Sequence, residues 1–127
     1  MSKRIVIVDD SNFLINQLAA FMEEAMDYTV VGKGSDGNQA IALYREHKPD
    51  LITLDITMPN KDGMEALEEI LKEFPEANVM MISAIRGPEM AKCIKMGAKA
   101  YMEKPLLFNE DQFLQDFKAS LAEVFDG

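Results

Sequence analysis

Short apolar runs alternate with amphipathic stretches along the whole chain. The runs are too short for helices and lack a helical period, which predicts buried strands. They cover residues 5–8, 51–54, 79–82 and 100–102, and a strand-like stretch follows at 28–32. Each run ends in a polar or turn-forming residue, so the strands are expected to be brief and to stop at defined points.

The segments between these runs carry apolar residues at helical spacing. This pattern predicts helices over residues 13–26, 39–47 and 63–74, a fourth that starts at Pro88 and ends before Gly97, and a fifth across 113–124. Asp62 with Glu65 has the arrangement of a capping box at the start of the third helix, and Asn109 with Gln112 predicts a second capping box before the last.

Five strands that alternate with five helices predict an α/β fold. Right-handed crossovers then give a parallel sheet with helices on both faces, which is a doubly wound, three-layer sandwich. The 127 residues are enough for one core and contain no linker or repeat, so we expect a single domain over 1–127.

Chemically capable side chains stand where the predicted strands end. Asp9 and Asp10 follow the first strand, Asp55 the third, Ser83 the fourth and Lys104 the fifth. Because the carboxyl ends of parallel strands share one edge of the sheet, we expect these side chains to lie close together.

Clustered carboxylates repel each other and need a cation nearby. Each close pair costs on the order of 4 kcal/mol at about 4 Å and an effective dielectric of about 20. Oxygen ligands without His or Cys suit Mg²⁺, and Lys104 adds a second positive charge. A carboxylate beside Mg²⁺, a lysine and a hydroxyl has the parts needed to attack a phosphoryl group, with Asp55 as the nucleophile.

The amino-acid composition limits which kinds of molecule the protein can bind. A net charge of -9, from 22 acidic and 13 basic residues, argues against binding nucleic acid. Cys93 is the only cysteine and lies in a predicted helix, so it is interpreted as a core residue of a protein from a reducing compartment. The short apolar run after Met1-Ser2-Lys3-Arg4 has the pattern of neither a signal-peptide h-region nor a membrane span, and we expect a cytoplasmic monomer without membrane insertion.

These motifs together resemble the receiver domain of two-component response regulators, and more closely the stand-alone CheY-like chemotaxis regulators. The resemblance extends over nearly the whole chain. Its motifs are Val8-Asp9-Asp10-Ser11, Asp55-Ile56-Thr57-Met58-Pro59 with Asp62-Gly63, Ser83-Ala84, Gly97-Ala98 and Lys104-Pro105. It implies a flavodoxin-like sheet with strand order 2-1-3-4-5.

The resemblance also implies site roles. Asp55 would accept a phosphoryl group from a phosphohistidine on a sensor histidine kinase, and Ser83 and Lys104 would contact the phosphoryl oxygens. Asp10, Asp55 and the Thr57 carbonyl would bind Mg²⁺, with Asp9 helping through water. The Lys104-Pro105 bond is expected to be cis. The protein would not be an enzyme beyond its own phosphorylation and dephosphorylation.

A switch is implied as well. In the family, the hydroxyl residue moves toward the phosphoryl group and an aromatic residue three before the lysine turns inward, and these positions are Ser83 and Tyr101 here. Thr57 and Ile85 flank the path of a hydrolytic water in family members. Because Ile85 cannot orient water, we expect slow self-dephosphorylation.

Several alternatives differ in chemistry or output. A haloacid dehalogenase-type phosphatase would need a second aspartate at the position of Thr57, and a flavodoxin-like flavin binder would not place Asp9 and Asp10 beside a phosphate. A constitutive binding module would not need the acidic set. As a regulator, the chain could act on a flagellar motor switch component or pass its phosphate to a phosphotransfer protein, and a phosphatase could act on it.

Overall fold

The protein forms one parallel sheet covered by helices on both faces. The computed structural model describes residues 2–126. The strands are β1 (Lys3–Val8), β2 (Tyr28–Gly34), β3 (Leu51–Leu54), β4 (Val79–Ser83) and β5 (Ala100–Glu103). The helices are α1 (Asn12–Glu24), α2 (Gly37–His47), α3 (Gly63–Glu73), α4 (Pro88–Met96) and α5 (Asp111–Asp126). None of these helices combines the length and apolar character that crossing a membrane requires.

The strand order is β2-β1-β3-β4-β5, as expected, and every neighbouring pair is parallel. The register brings the strand ends level with one another. Val8 of β1 pairs with Leu54 of β3, and the amide of Asp55 donates to the Val8 carbonyl at 3.1 Å. Between β4 and β5, the amide of Lys104 likewise donates to the Ser83 carbonyl, at 3.0 Å. The predicted site residues therefore leave the sheet along one edge.

Alternating side chains of the strands build a core on each face of the sheet. One core joins the β1, β3 and β4 side chains to α2, α3 and α4, and it includes the fully buried Cys93. The other joins the opposite faces of β1, β3, β4 and β5 to α1 and α5. Strands buried on both faces explain why the runs in the sequence are continuously apolar rather than alternating.

Most predicted helix ends are confirmed. Asp62 and Glu65 form a capping box on α3, Pro88 begins α4, and Gly97 ends it with a left-handed φ of 119°.

The capping box predicted before α5 does not form, and a turn precedes the helix. The amide of Glu110 donates to the Leu107 carbonyl at 3.0 Å, and helical bonding begins from the Glu110 carbonyl. The side-chain amide of Gln112 donates to Asp116 at 2.8 Å instead of reaching back to a cap. Packing of Phe108 against Phe21, with ring centroids 5.4 Å apart, holds this turn.

The segment between β3 and α3, which we call the β3–α3 loop (residues 55–62), is closed tightly at its base. The amide of Gly63 donates to the Ile56 carbonyl at 2.8 Å. A Cβ atom at Gly63 would lie 1.9 Å from the Asp55 carbonyl oxygen, far inside van der Waals contact. Only glycine allows α3 to begin this close to the end of β3.

We predict that Gly63→Ala destabilises the protein by about 3 kcal/mol or more, because backbone atoms must move to admit the methyl group. Chemical denaturation of both variants measures the loss. Gly34→Ala is the matched control, since the atoms nearest to its methyl group would be side-chain atoms of Gln39 and Leu43, at 3.1 Å, and not backbone. Equal losses in the two variants would contradict the close-approach explanation.

Candidate functional site

Three carboxylates converge at the carboxyl edge of the sheet, as the sequence predicts. Oxygen atoms of Asp9, Asp10 and Asp55 lie within 4.8 Å of one another, and we call these residues the acidic cluster. Asp9 and Asp55 are only 3% and 6% exposed, whereas Asp10 faces solvent. The cluster is therefore open on one side and closed on the other.

Lys104 reaches into the acidic cluster from the end of β5. Its ammonium Nζ donates to Asp9 Oδ2 at 2.8 Å and lies 3.3 Å from Asp55 Oδ2. The other oxygen of Asp9 accepts the amide of Ser11 at 2.9 Å, which holds this carboxylate at the start of α1. The Lys104-Pro105 peptide bond is cis, as expected.

The charges in the site shift the pKa values of its members. Burial, and next the charge of Asp9, raise the pKa of Asp55, and Lys104 offsets only part of this effect. Burial alone would lower the pKa of Lys104, but its contacts with Asp9 and Asp55 outweigh burial and raise it. The lysine therefore stays protonated, while Asp55 carries a charge that its surroundings only partly neutralise.

Ser83 and Tyr101 meet at the loop between β4 and α4. Ser83 is 1% exposed, and its Oγ accepts the amide of Ile85 at 3.2 Å. The Tyr101 hydroxyl donates to the carbonyl of the same residue, Ile85. Burial raises the pKa of Tyr101, so its hydroxyl keeps the proton that it donates. One residue of this loop thus contacts both predicted switch side chains.

Thr57 lies on the β3–α3 loop, two residues after Asp55, and is exposed. Its carbonyl as a metal ligand stays a prediction.

The sequence analysis missed the contact that holds this loop. The side-chain amide of Asn60 donates to Asp36 Oδ2 at 2.8 Å, across 24 residues of sequence. Asx residues in two loops on the same edge of the sheet were the available signal, but they are common in turns.

The arrangement suits a reaction in which negative charge arrives at Asp55. The Asp55 carboxylate can act as a nucleophile, Lys104 can neutralise charge on an incoming group, and the Ser83 hydroxyl can donate a hydrogen bond. The carboxylates of the acidic cluster offer the hard oxygen ligands that Mg²⁺ prefers.

Comparisons with known proteins agree with this arrangement. Residues 5–118 match the family model of the response regulator receiver domain. The protein CcdB of Bacillus subtilis is 41% identical over 113 residues, which are 88% of this chain and 92% of that protein. The chemotaxis protein CheY of Thermotoga maritima is 41% identical over 106 residues, covering 83% and 88% of the two chains.

A solved structure is similar over almost the whole chain. In the CheX-CheY-BeF3-Mg²⁺ complex from Borrelia burgdorferi, the matching chain has a TM-score of 0.85 and 32% identity, with 97% of this chain and 89% of that one covered. Fold, site geometry and sequence similarity lead to one assignment: the chain belongs to the response regulator receiver domain family and is homologous to CheY.

Proposed function

We propose that this chain is a phosphorylation-dependent response regulator of the CheY type. Asp55 accepts a phosphoryl group from a phosphohistidine of a sensor histidine kinase, and the modified protein contacts a downstream protein. The observation that supports this proposal best is the placement of Asp55, a buried carboxylate beside Asp9 and Asp10 with the Lys104 ammonium 3.3 Å away.

Phosphoryl transfer requires a nucleophile and groups that contact the phosphoryl oxygens, and residues of this chain can supply both. An Asp55 oxygen attacks phosphorus, a P–O bond forms, and the P–N bond to the kinase histidine breaks, leaving a neutral imidazole after proton uptake. Lys104 and the Ser83 hydroxyl contact the phosphoryl oxygens. Because Ser83 Oγ already accepts from Ile85, its own proton remains for donation to the phosphoryl group.

The donor set fits Mg²⁺. Asp10, Asp55 and the Thr57 carbonyl would hold the ion, with Asp9 assisting through water, and the raised pKa of Asp55 indicates that its charge lacks full compensation. When bound, Mg²⁺ neutralises charge on the transferring oxygens.

The signal would leave the site through Ser83 and Tyr101. A phosphoryl group adds roughly -1.5 to -2 charge and three acceptor oxygens beside Ser83. Movement of Ser83 toward it removes the acceptor of the Ile85 amide, and the same residue's carbonyl holds Tyr101. The packing of the β4–α4 loop and β5 surface would then shift between two populations that a partner distinguishes.

Chemotaxis is the proposed setting, with a flagellar motor switch component as the downstream partner. Support comes from the chemotaxis proteins among the relatives and from the structural neighbour, in which CheY is in complex with CheX. A phosphatase that recognises the phosphorylated form fits the same surface. An intermediate in a phosphorelay would use the same site but return the phosphoryl group to a histidine of a phosphotransfer protein.

We predict that incubation with acetyl phosphate and Mg²⁺ adds one phosphoryl group, measured by intact-protein mass spectrometry. The group should be absent from Asp55→Asn, which removes the nucleophile, and absent when the metal is chelated with EDTA. Asp50→Asn is a control for general loss of an aspartate, because Asp50 lies at the opposite edge of the sheet before β3. Modification that persists in Asp55→Asn would overturn the assignment of the acceptor.

A second prediction concerns stability without metal. The raised pKa of Asp55 means that the folded state favours the neutral form, so ionisation at neutral pH costs folding free energy. Asp55→Asn should therefore stabilise the metal-free protein, by on the order of 1 kcal/mol at neutral pH. The gain should shrink as the pH falls toward about 4, where an ordinary Asp is itself neutralised.

Urea denaturation across this pH range, with EDTA present, measures the effect. Asp116→Asn, on the solvent-facing side of α5, is the control and should change stability by less than about 0.5 kcal/mol. A loss of stability in Asp55→Asn at neutral pH would show that the Lys104 contact outweighs the repulsion.

A third prediction concerns the lifetime of the phosphorylated state. Ile85 offers no polar side chain, and its two contacts to Ser83 and Tyr101 come from its backbone, so changing the side chain preserves both. Ile85→Gln should accelerate loss of the phosphoryl group about tenfold by orienting water. The decay of the phosphorylated protein after removal of the donor measures this rate. Ile85→Leu should leave it unchanged, and an unchanged rate in Ile85→Gln would refute the idea.

A further inference from the structure

The β3–α3 loop is fastened to the start of α2 at two points. The Asn60 side-chain amide donates to Asp36 Oδ2 at 2.8 Å, and the backbone amide of Gly37 donates to the Lys61 carbonyl at 2.8 Å. The two contacts involve neighbouring residues on each side. Together they join a loop that follows β3 to a loop that follows β2, two strands away in the sheet.

Asp36 divides its two carboxylate oxygens between two tasks. Oδ1 accepts the amide of Gln39 at 2.8 Å and caps α2, while Oδ2 accepts the Asn60 amide. The residue is buried, at 7% exposure. The Asn60 amide, followed by the backbone amide of Gln39, lowers the pKa of Asp36, so the carboxylate is charged and its hydrogen bond to Asn60 is of the stronger, charge-assisted type.

The partner residues are adapted to the same contact. Asn60 has a left-handed φ of 65°, a conformation that Asn adopts more readily than most residues. A Cβ atom at Gly37 would lie 2.5 Å from the Lys61 carbonyl oxygen, so a larger residue would push the two loops apart. The close approach of these loops is thus favoured by the residue types of Asp36, Gly37 and Asn60.

Thr57 lies on the segment that this contact holds. The loop is fixed at its start by β3, where the Asp55 amide donates to the Val8 carbonyl, and at its base by the bond from Gly63 to Ile56. Between these points, Met58 is buried in the core while Thr57 is exposed. On the far half of the loop, the side chains of Lys61 and Asp62 contact α3, whereas the Asn60 side chain ties the loop to the start of α2.

We propose that Asp36 and Asn60 are positioning residues for divalent-ion binding: their hydrogen bond holds the β3–α3 loop so that the Thr57 carbonyl stands ready beside the acidic cluster. This inference rests on the proposed function. It extends the site to a pair of residues that bind no ion and contact no phosphoryl group. The restraint acts before binding, because a loop that is already ordered loses less conformational entropy when the ion arrives.

Two variants break the contact from opposite sides. Asn60→Gly removes the amide and accepts the positive φ without strain. Asp36→Ser retains a helix cap but loses the oxygen that Asn60 contacts. Asp36→Asn is the conservative rescue, since its side chain can cap α2 and still share a hydrogen bond with Asn60 after an amide rotation.

The matched control is Asp27→Gly. Asp27 also has a left-handed φ, of 59°, but it is exposed and precedes β2, at the opposite edge of the sheet. This variant shows how replacing a residue of left-handed φ by glycine affects Mg²⁺ affinity and stability when no contact between the two loops is lost.

Isothermal titration calorimetry with Mg²⁺ alone gives the dissociation constant of each variant, and thermal unfolding in EDTA gives its metal-free stability. We expect Asn60→Gly and Asp36→Ser each to weaken Mg²⁺ binding about tenfold, within the range for residues that orient metal ligands. The double variant should be no weaker than either single one, because both remove the same contact. Asp36→Asn and Asp27→Gly should bind like the parent.

The outcomes separate this inference from the proposed function. If Asn60→Gly and Asp36→Ser lose thermal stability but bind Mg²⁺ as tightly as the parent, the contact is only structural and the inference is wrong. Equal weakening in Asp27→Gly would also overturn it. A parent protein that binds no Mg²⁺ would instead overturn the proposed metal site, and the inference with it.

Discussion

Electrostatic repulsion within the acidic cluster is the constraint on which the rest of the site depends. Parallel pairing of β1 with β3 leaves Asp9 and Asp55 level with each other at the sheet edge, so their proximity is a consequence of backbone register. Lys104, delivered by β5, offsets part of the repulsion. The fold therefore keeps a partly uncompensated charge at Asp55, which favours any event that brings a cation to the cluster.

The sequence predicted the sheet and the members of the site because both follow from local patterns. Continuous apolar runs fix the strands, and each run's last residues fix what emerges at the edge, so Asp55, Ser83 and Lys104 could be placed together without coordinates. The contact of Asp36 with Asn60 could not, because either residue alone is an ordinary turn former. The capping box predicted before α5 does not form, and the preceding turn instead packs through Phe108 on Phe21, a contact between segments far apart in sequence.

Ile85 has an unusual position between the site and the surface. Its side chain packs against the core on one face of the sheet, its amide donates to Ser83, and its carbonyl accepts from Tyr101. The two peptide units that flank the Ile85 Cα therefore contact Ser83 on one side and Tyr101 on the other. The buried hydroxyl of Ser83 and the half-buried ring of Tyr101 are thus linked by hydrogen bonds to one residue, within the short loop that follows β4.

Cys93 gives the fold an internal reporter. Cys93 lies on the core-facing side of α4 and is fully buried. Burial raises the pKa of its thiol, so the thiol stays protonated and unreactive while α4 is packed on the sheet. Since it is the only cysteine in the chain, its reaction with a thiol reagent under native conditions requires an opening, local or global, that exposes this helix. Comparing the labelling rate with and without an acyl phosphate would therefore show whether phosphorylation changes the exposure of α4, with no engineered probe.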